Sequence, residues 1–515
     1  MTRGAPPPGA AVCDVLVIGA GSAGAVVAAR LSEDPARQVW LVEAGDWPDD
    51  PDIADPRQWL ALAGRSHDWA YRTVPQPGTA GRVHEWPRGR VVGGSGCLHA
   101  MAYVQGHPLD FAPWQAIAGD GWGFAALAPG FRRSRRLLGP GRDDGDGPLD
   151  VWQPEAEVSP LVRDFMAAGM DLGAPALAHH NAGRLIGATA NSLNIRDGLR
   201  QSVADAYLTA AVRARPNLRI LTGRMAVRIE FEGARATGAV FAGPEGAESI
   251  VAGQTVLCAG AVASPLLLMR SGIGPSEALA PAGLACRADL PGVGRNLQDH
   301  LLVFGNLYRS RRPVPPSRLQ HSESLMYLDS TDLSACEGQP DVVLACVVAP
   351  AVLPGLAAPP PGEAFTILCG PCRPEARGRI LPTGPSPEDP PHIDPNYLDI
   401  EVDRRRLRRA LRLARAVGGH PALASWRAEE MLPGPAVQDD AALDAFLART
   451  ASTHHHPAGT CRMGQDAAAV VDEDLRLRGH EGLFVVDASV MPTLPSGPIN
   501  AAVVAIAETW AARQS

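Results

Sequence analysis

Short apolar runs alternate with glycine and proline turns along this chain, and the first run is the most regular. Residues 12–18 are mostly apolar and rich in valine, the pattern of a strand buried on both faces. A glycine turn follows at once, and residues 22–31 continue as an alanine- and valine-rich segment that predicts a helix. Residues 38–42 read as a second strand, which completes a βαβ unit. Residues 49–81, rich in proline, aspartate and tryptophan, predict an irregular excursion, bounded at about 46–85. Turn residues dominate 139–148 and predict a loop. Residues 217–230 and 235–241 alternate as strands around Glu232-Gly233, and 255–258 predict a short buried strand that meets Gly260.

Between 301 and 451 the texture changes. Proline clusters at 349–361 and 381–395 separate short apolar runs such as 341–348. Residues 403–417 predict an arginine-rich amphipathic helix whose charges form a solvated face. Residues 482–486 then read as a buried strand and 500–514 as a closing helix. The expected organisation is α/β with α+β: a Rossmann-like dinucleotide-binding domain from 12–300 together with 455–515, and a sheet-plus-helix substrate domain at 301–454. Residues 1–11, rich in proline, glycine and alanine, are expected to be disordered.

Composition narrows the function classes. At 515 residues more than one core is expected. A hydrophobic content of 46% with 20% charged residues fits a soluble globular protein. The net charge of -8 argues against a nucleic-acid surface. No apolar run is long enough to span a bilayer, and the N-terminal segment lacks a signal peptide's apolar centre, so no membrane partner and a cytoplasmic location are expected. Nine scattered cysteines fit free thiols, and the isolated Cys369-Gly-Pro-Cys372 has no second pair at zinc spacing. All 47 basic residues are arginine. That removes Schiff-base, phosphate-loop and general-base lysines, so phosphate must be held by backbone amides, arginines or helix termini.

The glycine turn is Gly19-x-Gly21-x-x-Gly24. Its first glycine permits the tight turn, its second a close approach to pyrophosphate and its third helix packing, and the helix N-terminus favours the anion. Glu43 stands 22 residues after Gly21, at the end of the second strand, where an acid binds ribose hydroxyls. A second glycine-rich loop, Arg88-Gly-Arg90-Val-Val-Gly93-Gly94-Ser95-Gly-Cys-Leu-His99, predicts a backbone passing close to a flat ring or a further phosphate.

Four long segments resemble the glucose–methanol–choline (GMC) oxidoreductase family: residues 89–112, 260–274 (GAVASPLLLMRSGIG), 291–300 (PGVGRNLQDH) and 456–464 (HPAGTCRMG). They run in the family's order over nearly the whole chain. The resemblance implies the GMC fold and FAD. By position, Gly19, Gly21, Gly24 and Glu43 would bind the ADP half, and Val227 would sit at the adenine. Arg90, Gly93, Gly94, Ser95 and His99 would line the flavin side. Asp487 and Ala488 would meet the pyrophosphate or ribityl chain, and Asn500 and Ala501 the pyrimidine edge of the flavin. Some relatives attach FAD through a histidine where this chain has Leu98, so FAD is expected to be non-covalent.

Removing hydride from an alcohol leaves an oxygen that must lose its proton, and a neutral histidine suits that task. Family position makes His456 the base. Three consecutive histidines converge on one ion only through unusual backbone, and no metal is expected. The family's usual Asn or His partner is replaced by Pro498, so His454, on the same side of an extended segment, is expected to hold the hydroxyl. This combination, with Cys-Leu-His-Ala-Met at 97–101, resembles members acting on a ring-attached hydroxymethyl group, pyridoxine above all. The implied partners are a small alcohol and O2 or a quinone-type acceptor, with the chain a monomer or weak oligomer. Two alternatives stand beside this: a dehydrogenase for choline or another alcohol, and a non-redox FAD-binding lyase or pseudoenzyme.

Overall fold

Two seven-stranded sheets organise the computed structural model, which describes residues 11–139 and 145–514. The first sheet starts with β1 (Ala11–Ile18), α1 (Ser22–Leu31) and β2 (Val39–Val42). It continues with β3 (Leu218–Leu221), β4 (Met225–Glu232), β5 (Arg235–Gly243) and β6 (Gly246–Leu257), followed by α2 (Gly260–Arg270). The strand order is β4-β5-β6-β1-β2-β3. β6, β1, β2 and β3 are parallel, and β4-β5-β6 form an antiparallel meander at one edge. Val15, Leu16, Val17 and Ile18 are buried, as a central parallel strand requires.

The second sheet takes all its strands from residues 301–453. They are β7 (Leu301–Val303), β8 (Leu307–Ser310), β9 (Ser322–Leu328), β10 (Val342–Val347), β11 (Ala364–Pro371), β12 (Arg427–Leu432) and β13 (Ala451–Thr453). Two helices belong to the same stretch, α3 (Glu401–Gly419) and α4 (Asp440–Thr450). Every residue of β10 and β11 is buried, and alternate side chains divide between two cores. Leu344, Cys346, Ile367 and Cys369 join the main core with Leu407 and Leu411 of α3. Val343, Ala345, Val347 and Leu368 join a smaller core with Val104, Tyr327 and Cys372. The chain then returns to the first sheet as β14 (Leu483–Val485), parallel to β6, and ends in α5 (Asn500–Ala512), which packs on α1.

Several expectations are corrected. Residues 217–230 are not one strand. Gly223, at φ +65°, breaks the run, and β3 and β4 lie at opposite edges of the sheet. The strand expected at 255–258 is the end of the twelve-residue β6, whose first part, Gly246–Gln254, has too many polar residues to read as buried. β1 begins at Ala11, inside the segment expected to be disordered. Residues 1–10, and 140–144 of the expected loop, lie outside the described residues. Arg405, Arg409 and Arg412 of α3 are exposed as expected, but Arg408 and Arg415 are not. Arg408 is nearly buried and binds Glu401 and Asp444, while Arg415 binds Glu430. Among the described residues no helix is long and apolar enough to cross a membrane.

Candidate active site

Two glycine loops meet backbone to backbone at the C-terminal end of β1. Gly93 N–H donates to Ala20 O at 2.8 Å, and Val92 N–H to Asp46 O at 2.9 Å. A Cβ on Gly24 would lie 1.8 Å from Gly19 O, and one on Gly94 would lie 2.7 Å from Gly21 Cα. Gly19 and Gly93 have φ of +103° and +106°, which leaves few alternatives to glycine. Gly21 is the N-cap of α1 and supplies no side-chain cap, so the helix terminus can face an anion. The Glu43 carboxylate accepts from Ala20 N–H at 2.8 Å and Gly45 N–H at 3.1 Å. Burial pushes its pKa up to about 7 against those two bonds. Arg90 is exposed and stacks over Trp69. Ser95 Oγ accepts from Gly89 N–H.

Further polar groups face the same region. Asn500 Nδ2 donates to Ser22 Oγ at 2.8 Å, and Asn500 Oδ1 is buried with no protein partner. Arg200 is buried. It donates to Ile53 O, Gly96 O and His99 O, and its Nη2 has no protein partner. His99 Nδ1 accepts from Met101 N–H at 3.0 Å, and burial holds the ring neutral with its pKa down at about 3. Val227 lies at a bulge between Ala226 and Arg228, where a strand can present a residue off the regular register. Asp487 uses both carboxylate oxygens on protein donors. Oδ1 accepts from Ser489 N–H and Oγ–H, and Oδ2 from Gly260 N–H and Ser264 Oγ–H. The carboxylate therefore pins Ala488 and the start of α2. Ala501 is buried in α5. A side-chain-free cradle, an uncapped helix terminus and buried polar atoms without partners fit a dinucleotide that carries a flat polar ring.

The histidines come together through long-range pairing. β13 pairs antiparallel with β7, Leu301 opposite Thr453, and His454 N–H donates to His300 O at 2.8 Å. His455 then adopts φ +66°. Its N–H donates to Thr453 Oγ1 and its carbonyl accepts from Arg88 Nη2 at 2.9 Å. Asp299 is buried and takes three donors: His456 N–H at 2.7 Å, Thr453 Oγ1–H at 2.6 Å and the Tyr397 hydroxyl. The His454 and His456 rings lie 4.3 Å apart between centroids, and His300 Nδ1 is 3.0 Å from His456 Nδ1. Burial, reinforced by the neighbouring histidines, holds His454 and His456 well below the ordinary histidine range, and burial holds His300 at about 4. All three are neutral at pH 7.

One sequence expectation changes here. His454 and His456 do sit together, but through a left-handed residue rather than an extended segment. That unusual backbone also brings nitrogens of His300, His454 and His456 within 4.8 Å of one another. His455 stays outside this group, so the three consecutive histidines do not themselves converge, and His300 Nδ1 and His456 Nδ1 are within hydrogen-bond distance of each other. Pro498 belongs to a loop held by Asp110, which accepts from Ser496 N–H and Oγ–H, and by Gln298, which donates to Pro492 O. A Cβ on the adjacent Gly497 would lie 3.2 Å from the Tyr327 hydroxyl of the second sheet.

Sequence reasoning missed Asp299 and His300. Both stand in the quoted 291–300 segment, in which Asn296 and Gln298 also bind the loop at Pro492. A polar NLQDH run entering a buried strand was the available signal.

Residues 13–302 match the N-terminal family model for GMC oxidoreductase, and 374–507 match the C-terminal one. The chain is 52% identical over 502 residues to a pyridoxine 4-oxidase of Microbacterium luteolum, covering 96% of this chain and 98% of the relative. It is 36% identical to the mitochondrial choline dehydrogenase of Homo sapiens, over 96% and 88% of the two chains. The crystal structure of a pyridoxine 4-oxidase from "Mesorbium loti" superposes with a TM-score of 0.95 at 53% identity, covering 97% of this chain and 99% of that one. The glycine cradle and the histidine cluster thus lie in a chain that belongs to the GMC oxidoreductase family, an FAD-dependent oxidoreductase acting on CH–OH groups.

Proposed function

We propose that this chain oxidises the ring-attached hydroxymethyl group of pyridoxine to the aldehyde, with O2 as the electron acceptor. The observation that carries the substrate is the 52% identity to a pyridoxine 4-oxidase along nearly the full length of both chains. Residues 12–300 with 455–515 hold FAD, and the sheet at 301–454 forms the substrate side. Gly19, Gly21, Gly24 and Glu43 bind the ADP half. Arg90, Gly93, Gly94, Ser95, His99, Val227, Asp487, Ala488, Asn500 and Ala501 complete the cofactor site. Leu98 offers no nucleophile, so FAD is held non-covalently. When bound, FAD supplies the hydride acceptor.

The chain's own residues handle the alcohol. Neutral His456 accepts the hydroxyl proton, a task that contributes roughly 10²–10⁴-fold in rate. His454, whose ring lies beside it, orients the hydroxyl. Pro498 leaves that oxygen without a side-chain donor from the opposite loop, and it adds apolar surface that excludes water. The protein acts in the cytoplasm as a monomer or weak oligomer.

Anaerobic mixing of the yellow holoprotein with pyridoxine, and separately with choline, tests the reading through flavin absorbance. Bleaching by pyridoxine that air reverses is the expected result. Bleaching by choline alone, unreversed by air, would replace it with a dehydrogenase. No bleaching by any alcohol would leave an FAD-binding protein without redox chemistry.

A further inference from the structure

The geometry assigns His300 as a positioning residue that selects the tautomer of His456 and so leaves its Nε2 free to take the substrate proton. His300 Nε2 lies 2.8 Å from Cys372 O, and a carbonyl can only accept, so Nε2 carries hydrogen. In the neutral ring Nδ1 is then a bare lone pair. That lone pair sits 3.0 Å from His456 Nδ1. The contact is a hydrogen bond only if His456 Nδ1 carries the hydrogen. A neutral His456 with hydrogen on Nδ1 has its lone pair on Nε2. A reversed arrangement would place hydrogen on Nε2 and abolish its use as a base.

The chain of polarity is anchored in secondary structure. Cys372 follows directly on β11, and His300 directly precedes β7, which pairs with β11. His300 is 3% exposed, which shields both of its contacts from bulk water. Asp299 fixes the His456 main chain from the neighbouring position while His300 fixes its ring. The paired buried residues 299 and 300 thus set both place and tautomer, the role that an orienting group plays for a histidine base elsewhere. The CxxC at 369–372 enters the chemistry through a main-chain oxygen and not through sulfur. This inference rests on His456 being the base.

Histidine ¹⁵N spectra of the holoprotein, assigned with single-histidine variants, read the tautomer directly. The expected result is a protonated Nδ1 on His456 and a protonated Nε2 on His300, and the opposite tautomer on His456 overturns the inference. Kinetics of anaerobic flavin reduction by pyridoxine give a second reading. His300→Phe keeps a ring without an acceptor and should slow limiting reduction by ~10²–10⁴-fold, the range spanned by loss of a histidine base or of its tautomer, with alcohol affinity little changed. His300→Asn places an amide oxygen near the Nδ1 position and should recover at least about tenfold of that loss. Reduction by the Phe variant at nearly the parental rate, or equal slowing in both variants, overturns the inference. If His300→Phe loses FAD or fails to fold, the spectrum of the unaltered protein and the Asn variant decide. If pyridoxine and other alcohols fail to reduce the unaltered protein, the functional reading falls while the spectrum still decides the tautomer.

Discussion

The glycine cradle and the histidine cluster solve the same problem, precise placement of atoms, by opposite means. The cradle is made of backbone. Its geometry follows from what is missing at Gly19, Gly24, Gly93 and Gly94, where an added Cβ would meet atoms at 2.6, 1.8, 2.5 and 2.7 Å. The cluster is made of side chains whose positions come from residues more than 150 positions away, as in the bond from His456 N–H to Asp299. A cradle of this kind tolerates no addition. A cluster of this kind tolerates no subtraction. The first fails by losing its ligand, the second by losing its rate.

That contrast can be broken from either side. The largest effect is expected on the cradle: Gly24→Val or Gly94→Val forces a side chain into backbone and should yield colourless protein, seen as loss of flavin absorbance and a lower melting temperature. Yellow, stable protein from either variant would mean that the loops can separate. On the other side, His456→Ala should stay yellow and lose ~10²–10⁴-fold in the limiting rate of flavin reduction. Loss of FAD from that variant would blur the division between the two regions.

Asp299→Ala sharpens the comparison further. It strands three donors, two of them on the histidine segment, and should cost about 1–3 kcal/mol of stability together with part of the reduction rate, by thermal melting and stopped flow. Unchanged melting and rate would show that β13 pairing alone holds the histidines. The smallest effect concerns pH. As the proposed base His456 acts when neutral, and burial holds its pKa below the ordinary histidine value. The limiting reduction rate should therefore stay flat as pH falls from about 8 through about 6.5 and decline only at more acid pH. A limb centred above about 6.5 would indicate a base better solvated than the partly buried ring observed.

Legibility followed the same division. β1, α1 and β2 appear within a residue or so of where apolar pattern and glycine spacing placed them. The closing helix, predicted over 500–514, is observed over Asn500–Ala512. The second sheet was legible only as a texture of short runs. Its strands pair across long connections, and nothing local states that β7 lies between β11 and β13. The split at Gly223 was missed because two strands bound for opposite sheet edges share one alternating run.

By itself the sequence determined the dinucleotide cradle, since glycine positions state directly where side chains are forbidden. It also determined the family, through four long segments in order, and it removed every lysine mechanism. Only the tertiary structure decided that Asp487 spends both carboxylate oxygens on the protein, that His454 and His456 meet through a left-handed His455, and that Asp299 and His300 stand behind them. The physical reason is one of range. A steric prohibition is a property of one residue and its backbone. A hydrogen-bond direction between His300 and His456 exists only after two distant strands have paired.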